Sequence, residues 1–552
     1  MRKVSKASLL VGLLALVAVA VAYGASGRHK ASSDTLVFGS SADPVALDGA
    51  LISDGESGRV IIQIYEGLVA LAPGTTKVVP SLATSWKSSP NGKSWTFSLR
   101  NGVKFSDGTP FNAAAVCYNF DRWYNFKGSF QNPSATYYWQ TVFGGFKTYD
   151  PKSGAPKGSL FASCKTVSDS SVTINLTAPS ASFLAGLSLP SFSMGSPTAM
   201  AKYGANDGAV DSTGVFHPTG TYATQHPTGT GPFMLQSWTH GDKLVLVRNP
   251  NYWGTPAKLS TLIFRPIADN AARLQALQNG EIQGYDLVEP QDIATIKSDS
   301  NLQLLSRPPF NVGIVGMNQS MPPLNNIKVR QAIAYGLDRQ SVVSAFYGGR
   351  GVVAKEFQPP SLFGYSNSVK QYPYNPAKSR ALLKAAGLKL PVKITFWYPT
   401  SVSRPYMPDP AKNFQAFAAS LTKAGFKVVP HAAPWNPDYL GGVQDGKAQV
   451  YLYGWTGDFG DPDDFDGVFF RTPQKQWGFN NPAIFNLLTK ARDESNLAKR
   501  IALYKQANNL IMNFLPGVPY VHTSPALAFT KNVSGYVPSP VDIQFFSSVS
   551  IS

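Results

Sequence analysis

The chain is poor in the residues that build metal sites and covalent catalysis. Two cysteines and six histidines occur in 552 residues, and the histidines are scattered along the chain. The sequence contains neither a His-Glu-x-x-His zinc motif nor a Gly-x-Ser-x-Gly nucleophile elbow. Gly92, Lys93 and Ser94 resemble the end of a phosphate-binding loop, but Lys87 stands where the first glycine of that loop is required. The sequence therefore predicts no enzyme, no metal site and no cofactor.

Acidic residues are also scarce. Aspartate and glutamate together number 32 against 49 lysines and arginines, which gives a formal net charge of +17. An excess of this size can indicate nucleic-acid binding, but the basic residues here are scattered singly and form no runs. We therefore expect no nucleic-acid partner and interpret the charge as a basic surface suited to an anionic cell envelope. With 43% hydrophobic residues in 552, the chain can fill two or three domains.

Long apolar runs are absent beyond the N-terminus. Three basic residues precede an apolar core at residues 9–22, and this core ends in small residues that suit a cleavage site. The core is shorter than the roughly 20 residues of a membrane-spanning helix. Residues 1–22 are therefore predicted to be an export signal, with an uncleaved membrane anchor as the alternative. Residues 23–34 are small and polar, which indicates a linker, and we expect an extracytoplasmic protein.

The two cysteines, Cys117 and Cys164, lie in one segment of the chain. In an oxidising compartment, two cysteines so placed are expected to form a disulfide bond. Closing a loop of this length would stabilise the fold by about 3–4 kcal/mol in the chain-entropy model. A metal site built from two cysteines alone is a poor alternative.

Alternating strands and helices in the second half of the chain predict an α/β domain. Residues 375–387 read as a helix, with Asn375 as N-cap, Pro376 at the first helical position and Gly387 at the C-terminal end. An alternating strand follows at 392–398, then a further helix and strand, as in helices packed on a parallel or mixed sheet. The first half has short strands broken by turns, so two α/β lobes are the interpretation.

The stretch GWTGDFGDPDDF begins at residue 454, and with Asp466 it brings five aspartates into thirteen residues. Like charges repel one another and are costly to desolvate, so this cluster needs an explanation. It does not fit a calcium-binding EF-hand, because counting from Asp461 places Phe465 at position 5 and Thr472 at position 12. A looser calcium site, a solvated turn and a site for a cationic ligand remain as alternatives.

Several blocks in order resemble one family, the extracytoplasmic solute-binding proteins (family 5) of peptide ABC transporters. The resemblance covers residues 36–537, and its blocks are YEGLV (65–69), VVPSLATSW (78–86), GKSWTFSLRNGVKFSDGTPF (92–111), GTGPF (229–233), VLVRNPNYWG (245–254) and NIKVRQAIAYGLDRQSVVSAFYGG (326–349).

The resemblance implies a two-lobed α/β fold of the periplasmic-binding-protein type, with mixed sheets, flanking helices and a two-segment hinge near 307–318 and 519–529. Its domains are expected at 35–310 for lobe I, with an inserted subdomain at about 60–210, at 311–522 for lobe II and at 523–552 for a return to lobe I.

The closest similarity is to dipeptide-binding proteins, and it implies four binding residues. In that group a G-W-T-G-D aspartate binds the ligand's α-ammonium and an R-P-Y arginine binds its carboxylate. The matching residues here are Asp458 and Arg404, and Trp455 and Tyr406 would line the pocket. The other four aspartates are expected to cap and order the following loop and to be open to solvent. The segment 125–165 and the loop 204–231 depart from the pattern and leave the ligand open.

The expected function is capture of dipeptides or short peptides and their delivery to a membrane permease with its ATPase subunits, by a monomer without cofactor. The alternatives are a nickel-chelate, haem or sugar binder on the same fold, a receptor that senses peptides without importing them, and a secreted hydrolase. The missing nucleophile motif argues against the hydrolase.

Overall fold

The computed structural model describes residues 34–552 except 134, 213–214 and 542, and it leaves the side chains of 436 and 437 undescribed. The predicted export signal at 1–22 and all but the last residue of the predicted linker lie outside these ranges. Within them, no helix combines the length and the apolar character needed to cross a membrane.

A seven-stranded mixed sheet forms the centre of lobe I. Its strands, in spatial order, are Phe233–Thr239, Lys243–Arg248, Thr261–Pro266, Thr35–Ser40, Gly284–Asp286, Ala526–Thr530 and Leu302–Ser306. The helices of this lobe are Gly55–Ile64, Pro197–Lys202, Asn270–Gln278 and Ile293–Ser298. In the strand Thr35–Ser40, Leu36 and Phe38 are fully buried, and Thr35 and Val37 are less buried. This alternation fits the period of two in a strand.

A six-stranded sheet forms the centre of lobe II. Its strands, in spatial order, are Gly351–Val352, Gly517–Thr523, Asn311–Met317, Val450–Thr456, Val392–Thr400 and Phe426–Pro434. All residues of the second and third strands are buried, as expected for central strands covered on both faces. The covering helices are Ile327–Gly336, Arg339–Phe346, Pro376–Ala385, Pro410–Lys423, Leu440–Gln444, Asp466–Phe470, Pro482–Asp493 and Leu497–Phe514.

A separate subdomain contains a four-stranded antiparallel sheet with an aromatic core. Its strands are Ala83–Ser88, Ser94–Leu99, Ser171–Leu176 and Phe161–Ser168, and its helices are Ala113–Tyr124, Tyr137–Phe143 and Phe183–Gly186. Phe120, Trp139 and Phe143 pack around Phe161. Cys117 on the first helix and Cys164 on the edge strand form a disulfide bond, with their Cα atoms 5.2 Å apart.

Short elements complete the architecture. They are the paired strands Val69–Leu71 with Val78–Pro80, Gly208–Val210 with Phe216–Pro218, and Val533–Ser534 with Ser550–Ile551; the 3₁₀ turns Gly49–Leu51, Gly128–Gln131, Pro190–Phe192, Pro290–Asp292 and Pro462–Asp464; and a π-helical turn at Trp435–Tyr439.

The chain passes between the two large sheets twice, at residues 307–310 and at 524–525. Asn311 begins the first strand after one crossing, and Thr523 ends the last strand before the other. The backbone amide of Thr523 donates to Asn311 Oδ1 at 3.0 Å, and Asn311 Nδ2 donates to the Thr523 carbonyl at 3.0 Å. The two crossing segments are therefore joined to each other, and the predicted two-lobed α/β fold with a two-segment hinge is confirmed.

Capping residues explain where individual helices begin and end. The predicted cap at Asn375 is confirmed, since its side chain accepts a hydrogen bond from the amide of Lys378. The helix that carries the apolar residues from Val60 to Ile64 begins at Gly55. Asp54 caps that helix by accepting from the amide of Ser57, and extended backbone at Tyr65 ends it.

Lobe II buries two carboxyl groups without a cationic partner in the described part of the chain. Glu356 and Asp466 are both fully buried, and Asn508 lies next to each of them. No donor meets hydrogen-bond geometry at either Asp466 oxygen or at Glu356 Oε2 in the described residues. Burial raises the pKa of Glu356 to about 9, and the nearby charge of Asp466 adds to the shift. Burial likewise raises the pKa of Asp466 well above its usual range.

This arrangement predicts a stability that falls as the pH rises. In the folded protein Glu356 keeps its proton up to about pH 9, whereas in the unfolded chain it ionises above about pH 4.3. The unfolded state then binds fewer protons, so the contribution is complete at low pH and is lost towards alkaline pH. Relative to Glu356→Gln, which cannot ionise, the wild type should lose up to about 1.4 kcal/mol per pH unit between these limits.

Urea unfolding at about pH 5, 7 and 9 measures this difference. Asp242→Asn is the control, because the side chain of Asp242 is 61% exposed. The free energies of unfolding of the wild type and this variant should differ by the same amount at all three pH values. Parallel pH profiles for the wild type and Glu356→Gln would contradict the assignment.

Candidate functional site

The two charged residues singled out by the sequence lie at the same edge of the lobe II sheet. Asp458 follows the strand Val450–Thr456, and Arg404 follows the strand Val392–Thr400. These two strands are parallel neighbours, so their carboxyl ends meet at one edge. Ligands of open α/β sheets bind outside the carboxyl ends of the strands. The topology therefore brings both residues to the place where a ligand is expected.

Tyr406 connects the two segments. Residues 404–407 form a tight turn, in which the amide of Arg404 donates to the carbonyl of Met407 at 3.1 Å and the amide of Met407 donates back at 2.9 Å. The ring of Tyr406 packs against Gly454, where an added Cβ would lie 2.4 Å from Tyr406 Cδ2. Tyr406 is 6% exposed and packs against the strand that leads to Asp458.

Arg404 presents a cation with unused hydrogen-bonding capacity. Its guanidinium lies 4.6 Å from the centre of the Trp435 ring, a cation–π contact. Its Nε is buried without a hydrogen-bond partner, and no carboxylate of the described residues forms an ion pair with it. A groove of about 860 Å³ between the lobes is lined by residues of both, among them Ser403 and Pro408 on either side of this turn. Arg404 itself lines a smaller adjoining pocket together with Leu287 and Thr523.

Asp458 is half-buried and faces the subdomain. Its Oδ1 accepts a hydrogen bond from the hydroxyl of Tyr138 at 3.0 Å. Burial, and then the charge of Asp458, raises the pKa of Tyr138 well above its usual range, so this hydroxyl remains a donor. Tyr138 belongs to the segment 125–165, which departs from the family pattern. No motif identified Tyr138, and the aromatic richness of its segment was the one available signal.

Asp464 holds the loop that carries Asp458. Its Oδ2 accepts from the backbone amides of Asp458 at 2.7 Å and Phe459 at 3.2 Å, and its Oδ1 accepts from the indole of Trp455 at 3.3 Å. Burial, and then the nearby charge of Asp458, raises the pKa of Asp464. Trp455 is thus fixed beside Asp458, and its ring meets Phe469 edge-on.

The expectation that the other aspartates are open to solvent is wrong. Asp461, Asp463, Asp464 and Asp466 are all buried. Asp461 forms a two-pronged ion pair with Arg500 at 2.5 and 2.8 Å, and Asp463 pairs with Arg471. The capping part of the expectation is confirmed, because Asp461 accepts from the amide of Asp463 and begins the 3₁₀ turn. The arginine partners allow the charges of Asp461 and Asp463 to be buried.

The same loop also reaches across to the subdomain. Phe459 is 5% exposed and belongs to the aromatic core of the subdomain. Ser182 lies with its hydroxyl 3.4 Å from Asp463 Oδ2, and the amide of Ala181 donates to the carbonyl of Arg492 at 2.9 Å. The candidate site is therefore enclosed between the lobe II sheet and the subdomain. Two α/β lobes joined by two crossing segments, with a site between them, define a binding protein of the periplasmic type.

Comparison with known proteins identifies the family. Residues 77–477 match the model for the bacterial extracellular solute-binding proteins, family 5 Middle. The chain belongs to this family, whose members are substrate-binding components of transporters and not enzymes.

Full-length relatives agree with this assignment. The chain is 34% identical over 561 residues to the dipeptide-binding protein of Escherichia coli strain K12, with 99% of each chain covered. It is 31% identical over 534 residues to heme-binding protein A of Haemophilus influenzae, with 94% of this chain and 93% of the relative covered. The solved periplasmic binding protein DppA of Helicobacter pylori, in complex with the peptide STSA, is similar with a TM-score of 0.78 and 28% identity, covering 94% of this chain and 98% of that one.

Asp464→Asn should loosen the loop that carries Asp458. The amide nitrogen of asparagine would face either the indole of Trp455 or the two backbone amides, so that a donor opposes a donor. Leaving such groups unsatisfied costs about 1–3 kcal/mol, so backbone amides at 458–459 should exchange with deuterium about tenfold faster or more.

Hydrogen-exchange mass spectrometry of peptides that cover 454–460 measures this change. Asp445→Asn is the control, since Asp445 is 56% exposed and pairs with Lys447 at the surface. Unchanged exchange in Asp464→Asn would show that the carboxylate does not hold the loop.

Proposed function

We propose that this protein is the substrate-binding component of an ABC transporter and that it captures free dipeptides or short peptides between its lobes. The observation that carries the proposal is the pairing of Asp458 and Arg404 at the ends of adjacent parallel strands. Among the described residues no carboxylate forms an ion pair with Arg404, and its Nε is buried without a hydrogen-bond partner. A zwitterion with an ammonium at one end and a carboxylate at the other matches this charge pattern.

Arg404 is suited to the carboxylate end of the peptide. Guanidinium offers a planar fork that binds a carboxylate through two hydrogen bonds, and it keeps its charge when desolvated. The stack on Trp435 leaves the edges of the guanidinium available, because hydrogen bonds form in its plane and the ring lies over its face. A ligand carboxylate would fill the hydrogen-bonding capacity that the described residues leave unused.

Asp458 is suited to the ammonium end. The hydroxyl of Tyr138 gives its carboxylate one partner without neutralising its charge. An arriving ammonium adds an ion pair to Asp458, and a ligand without a free amine does not form this ion pair. Removing one member of a buried ion pair costs about 3–5 kcal/mol, which corresponds to about a 100- to 4,000-fold loss of affinity.

Holding both ends restricts the length of the ligand, since each further residue extends a chain by about 3.3–3.6 Å. Side chains that lie in water-filled space allow a range of sequences. Ligand contacts from both lobes would shift the population towards a closed form, with the hinge at 307–310 and 524–525.

Members of the family bind peptides and deliver them to an ABC permease. The proposed partners are accordingly a membrane permease and its ATPase subunits, and the proposed location is outside the cytoplasm, reached through the signal at 1–22. We propose a monomer that performs no covalent chemistry. A peptide-sensing receptor would differ in that its response survives deletion of the permease.

A haem ligand is the second candidate, favoured by the 31% identity to heme-binding protein A. The charge pair of Asp458 and Arg404 favours a zwitterionic peptide over haem. A change in the absorbance spectrum of haem on mixing with ligand-free protein would indicate haem binding and gives a separate test of this candidate.

Calorimetric titration tests the peptide proposal. Ligand-free protein is titrated with Ala-Leu, its tri- to pentapeptide extensions, N-acetyl-Ala-Leu and Ala-Leu amide. Free dipeptide should bind, and blocking the amine should weaken binding about 100-fold or more. Asp458→Asn should remove the preference for a free amine, and Arg404→Ala should remove the preference for a free carboxylate.

Titration of each variant with the ligand that is blocked at the opposite end provides the control. Arg404→Ala should still discriminate against N-acetyl-Ala-Leu, and Asp458→Asn should still discriminate against the amide. Equal binding of free and blocked peptides by the wild type, or haem binding without peptide binding, would contradict the two-ended capture and leave the family assignment intact.

A further inference from the structure

The turn that carries Arg404 depends on residues outside itself. Its first and last residues bond to each other, since Arg404 and Met407 exchange two backbone hydrogen bonds. The carbonyls of the two central residues, Pro405 and Tyr406, point away from this pair. Each of these carbonyls is met by side-chain hydroxyls from other parts of lobe II.

Two phenols meet the carbonyl of Tyr406. The hydroxyls of Tyr347 and Tyr520 lie 3.0 and 3.2 Å from this oxygen. Nδ2 of Asn413 donates to the same two hydroxyls at 2.7 and 3.2 Å, and the two hydroxyls lie 3.2 Å from each other. All three side chains are buried, and burial raises the pKa of both phenols.

Thr523 meets the carbonyl of Pro405, with its Oγ1 at 2.7 Å, and the same Oγ1 lies 3.0 Å from Asn311 Oδ1. Thr523 ends the strand Gly517–Thr523, directly before the crossing to lobe I at 524–525. Its backbone is bonded to Asn311 at the other crossing. The turn of Arg404 is therefore attached to the residues that join the two lobes.

These contacts add to the packing of Tyr406 against Gly454 and to the burial of Met407, which also hold the turn in place. A carbonyl that loses its buried donor must reorient or remain unsatisfied. Reorientation of the peptide group after Pro405 or after Tyr406 changes the shape of the turn and displaces Arg404. A bidentate contact with a carboxylate tolerates little displacement, so small movements of the turn reduce the recognition of that group.

We infer that Thr523, together with Tyr347 and Tyr520, is a positioning residue for carboxylate recognition by Arg404. The inference rests on the proposed function of Arg404. Thr523 also connects that recognition to the hinge, because the same residue is bonded to both the Arg404 turn and the opposite crossing segment. Neither Thr523 nor the two phenols needs to touch the ligand for this role.

The test compares the affinities for Ala-Leu and Ala-Leu amide in each variant, using calorimetry on the full-length protein. The ratio of the two affinities isolates the contribution of Arg404 from general changes in stability. Thr523→Val replaces the hydroxyl with a methyl group of similar size, and it should lower this ratio about tenfold because the Pro405 carbonyl loses its buried donor. The double variant Tyr347→Phe/Tyr520→Phe should lower it at least as much. Thr523→Ser keeps the hydroxyl and should retain the wild-type ratio.

Thr489→Val is the matched control. It removes a threonine hydroxyl that donates to the carbonyl of Phe485 at 2.8 Å, in the same lobe but on the helix Pro482–Asp493. Its ratio should equal that of the wild type. If the wild type and Arg404→Ala show the same ratio, the proposed function fails. If Arg404→Ala abolishes the preference while Thr523→Val and the double phenylalanine variant keep it, the positioning role is overturned.

Discussion

The carboxylate of Asp464, buried beneath the loop after the strand Val450–Thr456, accepts from two backbone amides and one indole, and the acidic half of the site depends on this contact. A loop that bends sharply at the end of a strand exposes amides that need acceptors. Asp464 supplies one acceptor group for three donors, and this fixes Trp455, Asp458 and Phe459 relative to one another. The direction of the Asp458 side chain towards the cleft and the subdomain follows from that arrangement.

The basic half of the site is built in a different way. Arg404 lies on a four-residue turn in which the carbonyls of Pro405 and Tyr406 accept hydrogen bonds from neutral hydroxyls and not from charged groups. Charged partners near Arg404 would compete with an anionic ligand, whereas hydroxyls support the turn without doing so. The acidic half is supported by the carboxylate of Asp464, while Asp461 and Asp463 in the same loop pair with Arg500 and Arg471.

The sequence allowed the prediction of features that depend on local chemistry or on short motifs. The helix after Asn375 follows from its cap, and the positions of Asp458 and Arg404 follow from two motifs whose segments the topology brings to one sheet edge. Their assignment to the two ends of a ligand stays a prediction. Tyr138 was not foreseen, because its contact depends on how the subdomain packs across the cleft. The burial of Asp461 was missed for a similar reason, since its partner Arg500 lies 39 residues further along.

The order of strands in the lobe I sheet has a consequence for the synthesis of the chain. The strand Ala526–Thr530 lies between Gly284–Asp286 and Leu302–Ser306 and pairs with both. In the described sheet, Leu302–Ser306 is therefore connected to the other strands only through Ala526–Thr530. The strands of the lobe II sheet, in contrast, all come from residues 311–523. Pairing between strands so distant in sequence forms slowly, because a long loop must close first. A growing chain therefore holds every strand of lobe II before lobe I can complete its sheet.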